Sequence, residues 1–339
     1  MEVPRVFESA LALAELPYFE LRDDERLVIS ELITDPIVDV HTHLALSYLR
    51  REPSVDLWRE HSRTEHYLPV EQRFDMEVYA CQNYSAANLK RMKHDLTLGS
   101  LTRSGMRRTH TVPNIQREMA ELGVVASVLL PIDFPWLSWN AETYLGVVSR
   151  TTGFIGFGSV HPYDRDVVGK INRQQALGAR GVKVHPAIQL LPADNERAMA
   201  LYRHCADLGL LVLWHCGPVG IEPALGRHFS QLKHYWRAVR ENPRTTFILG
   251  HSGALQFEMG LELAQRYDNV YLETSSQELA HVRRIVDEAP PERVLFGSDW
   301  PFYHQAMPLA KLLIATEGKP GARRRILWEN AAQLFRLQQ

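Results

Sequence analysis

The alternation of apolar and polar positions changes character near residue 37. Ahead of it, ALALAELPYFELRDDERLVISELI spaces its apolar residues like a helix that Pro17 interrupts, which predicts an N-terminal helical extension over residues 1–36. Beyond it come eight short runs rich in β-branched residues: PIVDVH (36–41), VVASVLLPI (124–132), GFIGFGSVHP (153–162), GVKVHP (181–186), LLVLWHCG (210–217), TTFILGHSG (245–253), NVYLETS (269–275) and RVLFGSDWP (293–301). From the second run onward the intervening stretches have helical periodicity, as in NERAMALYRHCADLG (195–209) and FEMGLELAQRYD (257–268). Successive runs lie roughly 25–35 residues apart, the length of a βα unit. Nearly continuous apolar character within the runs predicts parallel strands covered on their outer face, and eight units predict an α/β fold, a (β/α)8 TIM-type barrel over residues 37–339. A doubly wound open sheet shares this alternation, but GFIGFG (153–158) lies inside a strand pattern and supplies no dinucleotide-binding turn. The first unit is abnormally long. The insertion at 44–111 follows the C-terminal end of a strand and is expected to cover the mouth of the barrel.

Polar residues close the apolar runs. The first ends in His41 and His43, the fourth in Lys183 and His185, the fifth in His215, the sixth in His251 and the eighth in Asp299. In a parallel barrel all C-terminal strand ends meet on one rim, so these residues become neighbours. Period-2 alternation puts Asp39, His41 and His43 on one face. An H-x-H pair arises by chance roughly 0.7 times in a chain with this many histidines, so the pair alone carries little. The joint pattern carries more, because imidazoles and a carboxylate at one rim are the ligands of a divalent metal with an open position, zinc being the expected ion. His161 and His185, both in V-H-P, read as hydrogen-bonded structural residues, although Lys183 and His185 share a face and either could approach a second metal or the substrate. Cys216 points away from the face of His215.

Composition narrows the function classes. With 45% hydrophobic and 23% charged residues, the 339-residue chain is an ordinary globular protein. A formal charge of −2 gives no overall positive field for nucleic acid or anionic lipid, so a small-molecule substrate is expected, with neither nucleic acid nor membrane as partner and a homodimer left open. Cys81, Cys205 and Cys216 are odd in number and unpatterned, which points to a reducing compartment and, with no signal peptide or membrane span, to a cytoplasmic protein.

DVHTH, GVKVHP, LVLWHCG, FILGHSG and LFGSDWP in this order, closed by ILWENAAQLFRL, resemble the amidohydrolase superfamily, in particular the amidohydrolase-related group that includes aminocarboxymuconate-semialdehyde decarboxylase, aromatic-acid decarboxylases and lactone hydrolases. The resemblance spans residues 37–337 apart from the insertion. It implies one divalent metal on His41, His43, His215 and Asp299, with His251 orienting the water and Asp299 moving its proton. It further implies hydrolysis of a lactone, amide or ester bond in a small, cyclic or carboxylate-bearing substrate. Metal-dependent decarboxylation and a catalytically silent ligand-binding barrel are the alternatives. A lysine at the end of the fourth strand bridges two metals in binuclear relatives; Lys183 is expected to stay unmodified beside a single ion. Aromatic residues of the loops, Trp136, Trp139, Trp300, Tyr303 and His304, are candidates for the substrate walls, and Arg50, Arg51 and Arg73 for binding a substrate carboxylate.

Overall fold

A computed structural model of the protein describes residues 5–50, 54–135 and 137–338. Eight parallel strands form the barrel: β1 (Ile37–Thr42), β2 (Val124–Leu129), β3 (Phe154–Gly156, resuming at Gly158–Ser159), β4 (Gly181–Val184), β5 (Leu211–His215), β6 (Phe247–Gly250), β7 (Val270–Glu273) and β8 (Val294–Leu295). Each pairs with the next, β3 using its first half against β2 and its second half against β4. Closure comes from β8 back to β1, through Val40 N–H to Phe296 O (2.9 Å), Asp299 N–H to His41 O (2.8 Å) and a parallel bridge between Thr42 and Trp300. The protein is a (β/α)8 barrel.

The helices of the eight units are α1 (Val112–Leu122), α2 (Asn140–Val148), α3 (Val167–Ala176), α4 (Glu196–Asp207), α5 (Lys233–Glu241), α6 (Phe257–Arg266), α7 (Leu279–Glu288) and α8 (Ala306–Ala315). Their ends follow local sequence. α1 stops at Gly123, whose φ of 71° suits a residue without a Cβ, and α3 starts where the Asp166 carboxylate accepts from Gly169 N–H (3.0 Å). Inside the barrel, Val38, Val40, Val128, Phe157, Leu213, Ile248 and Leu295 pack with Trp328 and Phe335 of the C-terminal segment, which plugs the end opposite the polar rim. No helix among the described residues is long and apolar enough to cross a membrane.

The N-terminal extension departs from the helix expected of it. A short 3-10 turn, Ala10–Glu15, ends before Pro17, and Phe19–Leu21 then pairs antiparallel with Leu27–Ile29. The polar stretch RDDER is the turn of a hairpin, and the flanking residues pack its apolar side on the core. Extension and insertion are joined: Val6–Phe7 pairs antiparallel with Phe74–Asp75, and Met76 N–H donates to Arg5 O (2.8 Å).

Candidate metal centre and its cavity

β1 does not keep a regular alternation. Its register against β2 slips between Asp39 and Thr42, and this bulge separates side chains that period 2 would place together. Asp39 turns into the seam with β8, where its carboxylate accepts from Ser298 N–H (2.9 Å), the Gln305 amide (2.7 Å) and His41 N–H (3.1 Å). Burial pushes that carboxyl up to about 7 against the pull of those bonds. His41 and His43 face the cavity instead.

Each imidazole of the rim has one nitrogen fixed from behind. His43 Nδ1 donates to Leu130 O (2.6 Å), and His41 Nδ1 donates to Glu273 Oε1 (2.9 Å), so both rings present Nε2 as a lone pair. Glu273, fully buried at the end of β7, also accepts from Ser275 N–H (2.7 Å), Ser275 Oγ (2.7 Å) and the backbone N–H of His251. Because the Ser275 hydroxyl spends its proton on Glu273, its oxygen accepts from His251 Nδ1 (2.7 Å). One carboxylate thus orients two histidines. A Cβ at Gly297 would strike that carboxylate, so β8 passes close enough only because position 297 is glycine.

Ligand atoms of His41, His251 and Asp299 all lie within 4.8 Å of one another. Asp299 Oδ1 is 3.7 Å from His41 Nε2 and 3.5 Å from His43 Nε2, while its Oδ2 accepts from Ser276 Oγ (3.3 Å). His215 Nδ1 meets His251 Nε2 at 3.1 Å. The tightest group therefore contains His251, where the resemblance implied His215, and His43 and His215 stand at its edge. Burial first, then neighbouring cationic groups, holds His41 and His215 well below the ordinary imidazole value; burial does the same for His251 against the pull of Asp299. Neutral imidazoles are what a metal ion needs. Lys183 is buried beside them, its Nζ 3.2 Å from His41 Nε2, and burial lowers it to about 7 while Asp299 and Glu273 push the other way. His251, Ser276 and Asp299 all have left-handed φ, at 60°, 62° and 65°. Such conformations cost about 1–3 kcal/mol each and concentrate where function requires them.

A family model described as amidohydrolase matches residues 138–337, more than half of the chain. The chain belongs to this family. Among curated proteins none matches the sequence. Solved structures do: an uncharacterised TIM-barrel protein from Bordetella bronchiseptica at 18% identity and a TM-score of 0.62, covering 89% of this chain and 99% of that one; 5-carboxyvanillate decarboxylase from Sphingomonas paucimobilis at 16% and 0.60, covering 90% and 100%; and a probable 2-pyrone-4,6-dicarboxylic acid hydrolase from Acinetobacter baumannii at 14% and 0.56, covering 88% and 98%. At these identities the likeness is one of fold.

In this amidohydrolase the rim opens into a cavity of about 640 Å³. The insertion supplies much of its wall, including Leu46, Tyr48, Tyr79, Tyr84 and Met92; the β2 loop adds Phe134 and Leu137, and the β8 loop Phe302 and Tyr303. Among the described residues, Tyr303 is the one aromatic candidate from the sequence on this wall. Trp139 borders a separate, smaller cavity, and Trp136 lies outside the described residues. Trp300 and His304 are buried behind the wall: the Trp300 indole donates to Glu118 on α1 (3.2 Å), and His304 Nδ1 stands 3.7 Å from the same carboxylate. They follow Asp299 in sequence, but the chain turns outward there to pack on α1.

No arginine lines the cavity among the described residues. Arg50 donates to Leu101 O (3.4 Å), Arg73 pairs with Glu8 (3.4 Å) on the outside, and Arg51 is outside the described residues. His161 has both ring nitrogens engaged with backbone, at Gln189 O and Tyr163 N. His185 accepts from Ile188 N–H (3.3 Å) and stacks on His215 with ring centres 3.9 Å apart. Cys216 packs in the core. Sequence reasoning passed over Glu273 and Ser275, although an acid closing the run NVYLETS was a visible signal of the same kind as Asp299.

Proposed function

We propose that this amidohydrolase is a metal-dependent hydrolase that opens an ester, lactone or amide bond of a compact, largely apolar molecule. The observation that carries the reading is the set at the barrel rim, where His41, His43, His251 and Asp299 turn ligand nitrogens or oxygens towards one another at the floor of an apolar cavity. The donor set fits a borderline-soft divalent ion such as zinc, and the carboxylate and carbonyl behind the His41 and His43 rings are the supports that ligating imidazoles need. His41, His43 and Asp299 would hold the ion, together with His215. Bound there, it would supply a Lewis acid for a carbonyl and a water whose pKa falls to about 7.

The protein's own groups perform the remaining work. Asp299, with one oxygen on Ser276 and the other facing the histidines, accepts the water's proton and returns it to the leaving group. His251, held at Nδ1 by Ser275, presents the lone pair of Nε2 to the reacting centre, where it would accept from the attacking water and orient it. Lys183 places a nitrogen beside the position where negative charge develops. The apolar walls keep bulk water from weakening these interactions.

One observation favours a second reading, decarboxylation of an aromatic acid. Lys183 at the floor is buried while the other cationic side chain on the cavity lining, Lys93, is exposed, so a substrate carboxylate would sit beside the reacting groups. Metal analysis combined with turnover of aryl esters, lactones and aromatic acids separates these outcomes. Hydrolysis is expected, with about one zinc per chain that Lys183→Ala leaves unchanged. Release of CO2 would replace hydrolysis by decarboxylation, and undiminished turnover after chelation would remove the metal from the mechanism.

A further inference from the structure

The loop after β5 runs from Cys216 to Pro223 and brings Glu222 to the cavity. Its side chain is only 7% exposed. Oε1 accepts from Val219 N–H (3.2 Å) and has the half-exposed Arg227 guanidinium at 3.9 Å, but Oε2 is buried with no hydrogen-bond partner. A buried carboxylate oxygen without a donor is costly unless something completes it. The exposed Arg227 is screened by water and reaches only the other oxygen.

The surroundings indicate what would complete it. Cys81 of the insertion donates its thiol to Val219 O (2.7 Å), which ties the cavity wall to the Glu222 loop. Burial first, then the nearby Glu222 carboxylate, pushes that thiol up to about 12. Tyr79, Tyr84 and Tyr303 line the same cavity, and aromatic faces attract cations. A second substrate carboxylate has no arginine to meet among the described lining residues, and Lys93 and His94 are exposed.

We propose that Glu222 is a specificity-determining residue and that the substrate of this amidohydrolase carries an ammonium group, which docks on the Glu222 carboxylate, the covered Oε2 turning towards the cavity to accept from it, while the scissile bond lies at the histidine–aspartate rim. This rests on the reading of the cavity as the active site, but not on the reaction performed there. It also reverses the expectation of a carboxylate-bearing substrate: the recognised charge is positive.

The test is calorimetric binding to the metal-loaded protein of three isosteric probes, 3-phenylpropylamine, 3-phenylpropanol and 3-phenylpropanoate. Glu222→Gln preserves the shape of the side chain and removes its charge. It is expected to weaken the amine by about tenfold or more, the scale of a lost charge-assisted hydrogen bond, while leaving the alcohol within about twofold and the carboxylate unchanged or tighter. An amine bound through the metal would be indifferent to this substitution, and such indifference overturns the proposal, as does failure of the amine to bind at millimolar concentration. Arg227→Gln, at a surface position, provides an independent check: removing its competing charge is expected to tighten the amine by about twofold, and weaker or unchanged amine binding overturns the assignment. Because the readout is binding, these results stand apart from whether the enzyme hydrolyses or decarboxylates.

Discussion

The floor and the wall of the cavity are built on different principles. On the floor, His41, His43, His251 and Asp299 are each held by a second polar partner and anchored at the ends of barrel strands. The wall is apolar, comes largely from one long insertion, and is held by packing and a few backbone contacts such as that of Cys81 with Val219. Orientation to fractions of an ångström is what proton transfer requires, and strands deliver it; a wall needs only shape and exclusion of water. The two regions should therefore respond to substitution in different kinetic parameters.

The sharpest test lies on the floor. Asp299→Asn keeps the shape but removes the proton acceptor, and kcat should fall on the order of 10²–10⁴-fold. A variant retaining its metal and more than a tenth of the wild-type kcat would move the proton-transfer role elsewhere. Glu273→Gln should cost about 10–100-fold in metal affinity or turnover, because the support of His41 and His251 is weakened while neither ring is touched. Metal titration together with kinetics reads this out, and an unaltered variant would mean that the strand ends alone position the rings. On the wall, Phe134→Ala should raise KM several-fold and leave kcat within about threefold, since uniform binding is lost. A kcat loss as large as that of Glu273→Gln would break the distinction between the regions.

The smallest effect concerns the seam where the insertion meets the β8 loop. Burial lowers His110 to about 3 and His304 to about 4, both below the imidazole value of 6.5. An unfolded chain takes up these protons first as the medium acidifies, so the stability is present above pH 6.5 and is lost as pH falls through about 4 and then 3. Tm should drop by roughly a few degrees across the upper part of this range, with a shallower slope in His304→Gln. Equal slopes in the variant and the wild type would exclude His304 as a contributor.

Much of the floor was legible in the sequence because each of its ligand-type residues ends an apolar run, and a parallel barrel has one C-terminal rim. The pattern showed less where local geometry breaks the period. The bulge in β1 sends Asp39 into the β8 seam although it shares the parity of His41, and no spacing rule announces a bulge. The N-terminal extension was legible as apolar but not as a hairpin, since Phe19–Leu21 and Leu27–Ile29 are each too short to separate period 2 from 3.6. Trp300 and His304 follow Asp299 directly, yet the turn after it aims them at Glu118 on the far side of the wall. Glu222 carried no sequence signal at all, because only its unpartnered oxygen in a folded loop distinguishes it.

The two-residue ladder between Val6–Phe7 and Phe74–Asp75 clasps the N-terminal extension to the insertion that walls the cavity. Tyr79, Cys81 and Tyr84 follow this ladder within ten residues and line the cavity, so opening the ladder is expected to loosen the wall before it disturbs the strand ends. Deleting residues 1–36 would remove this clasp together with core side chains such as Leu13, Phe19 and Leu27, so the truncated chain is expected to lose stability as well as the shape of its wall.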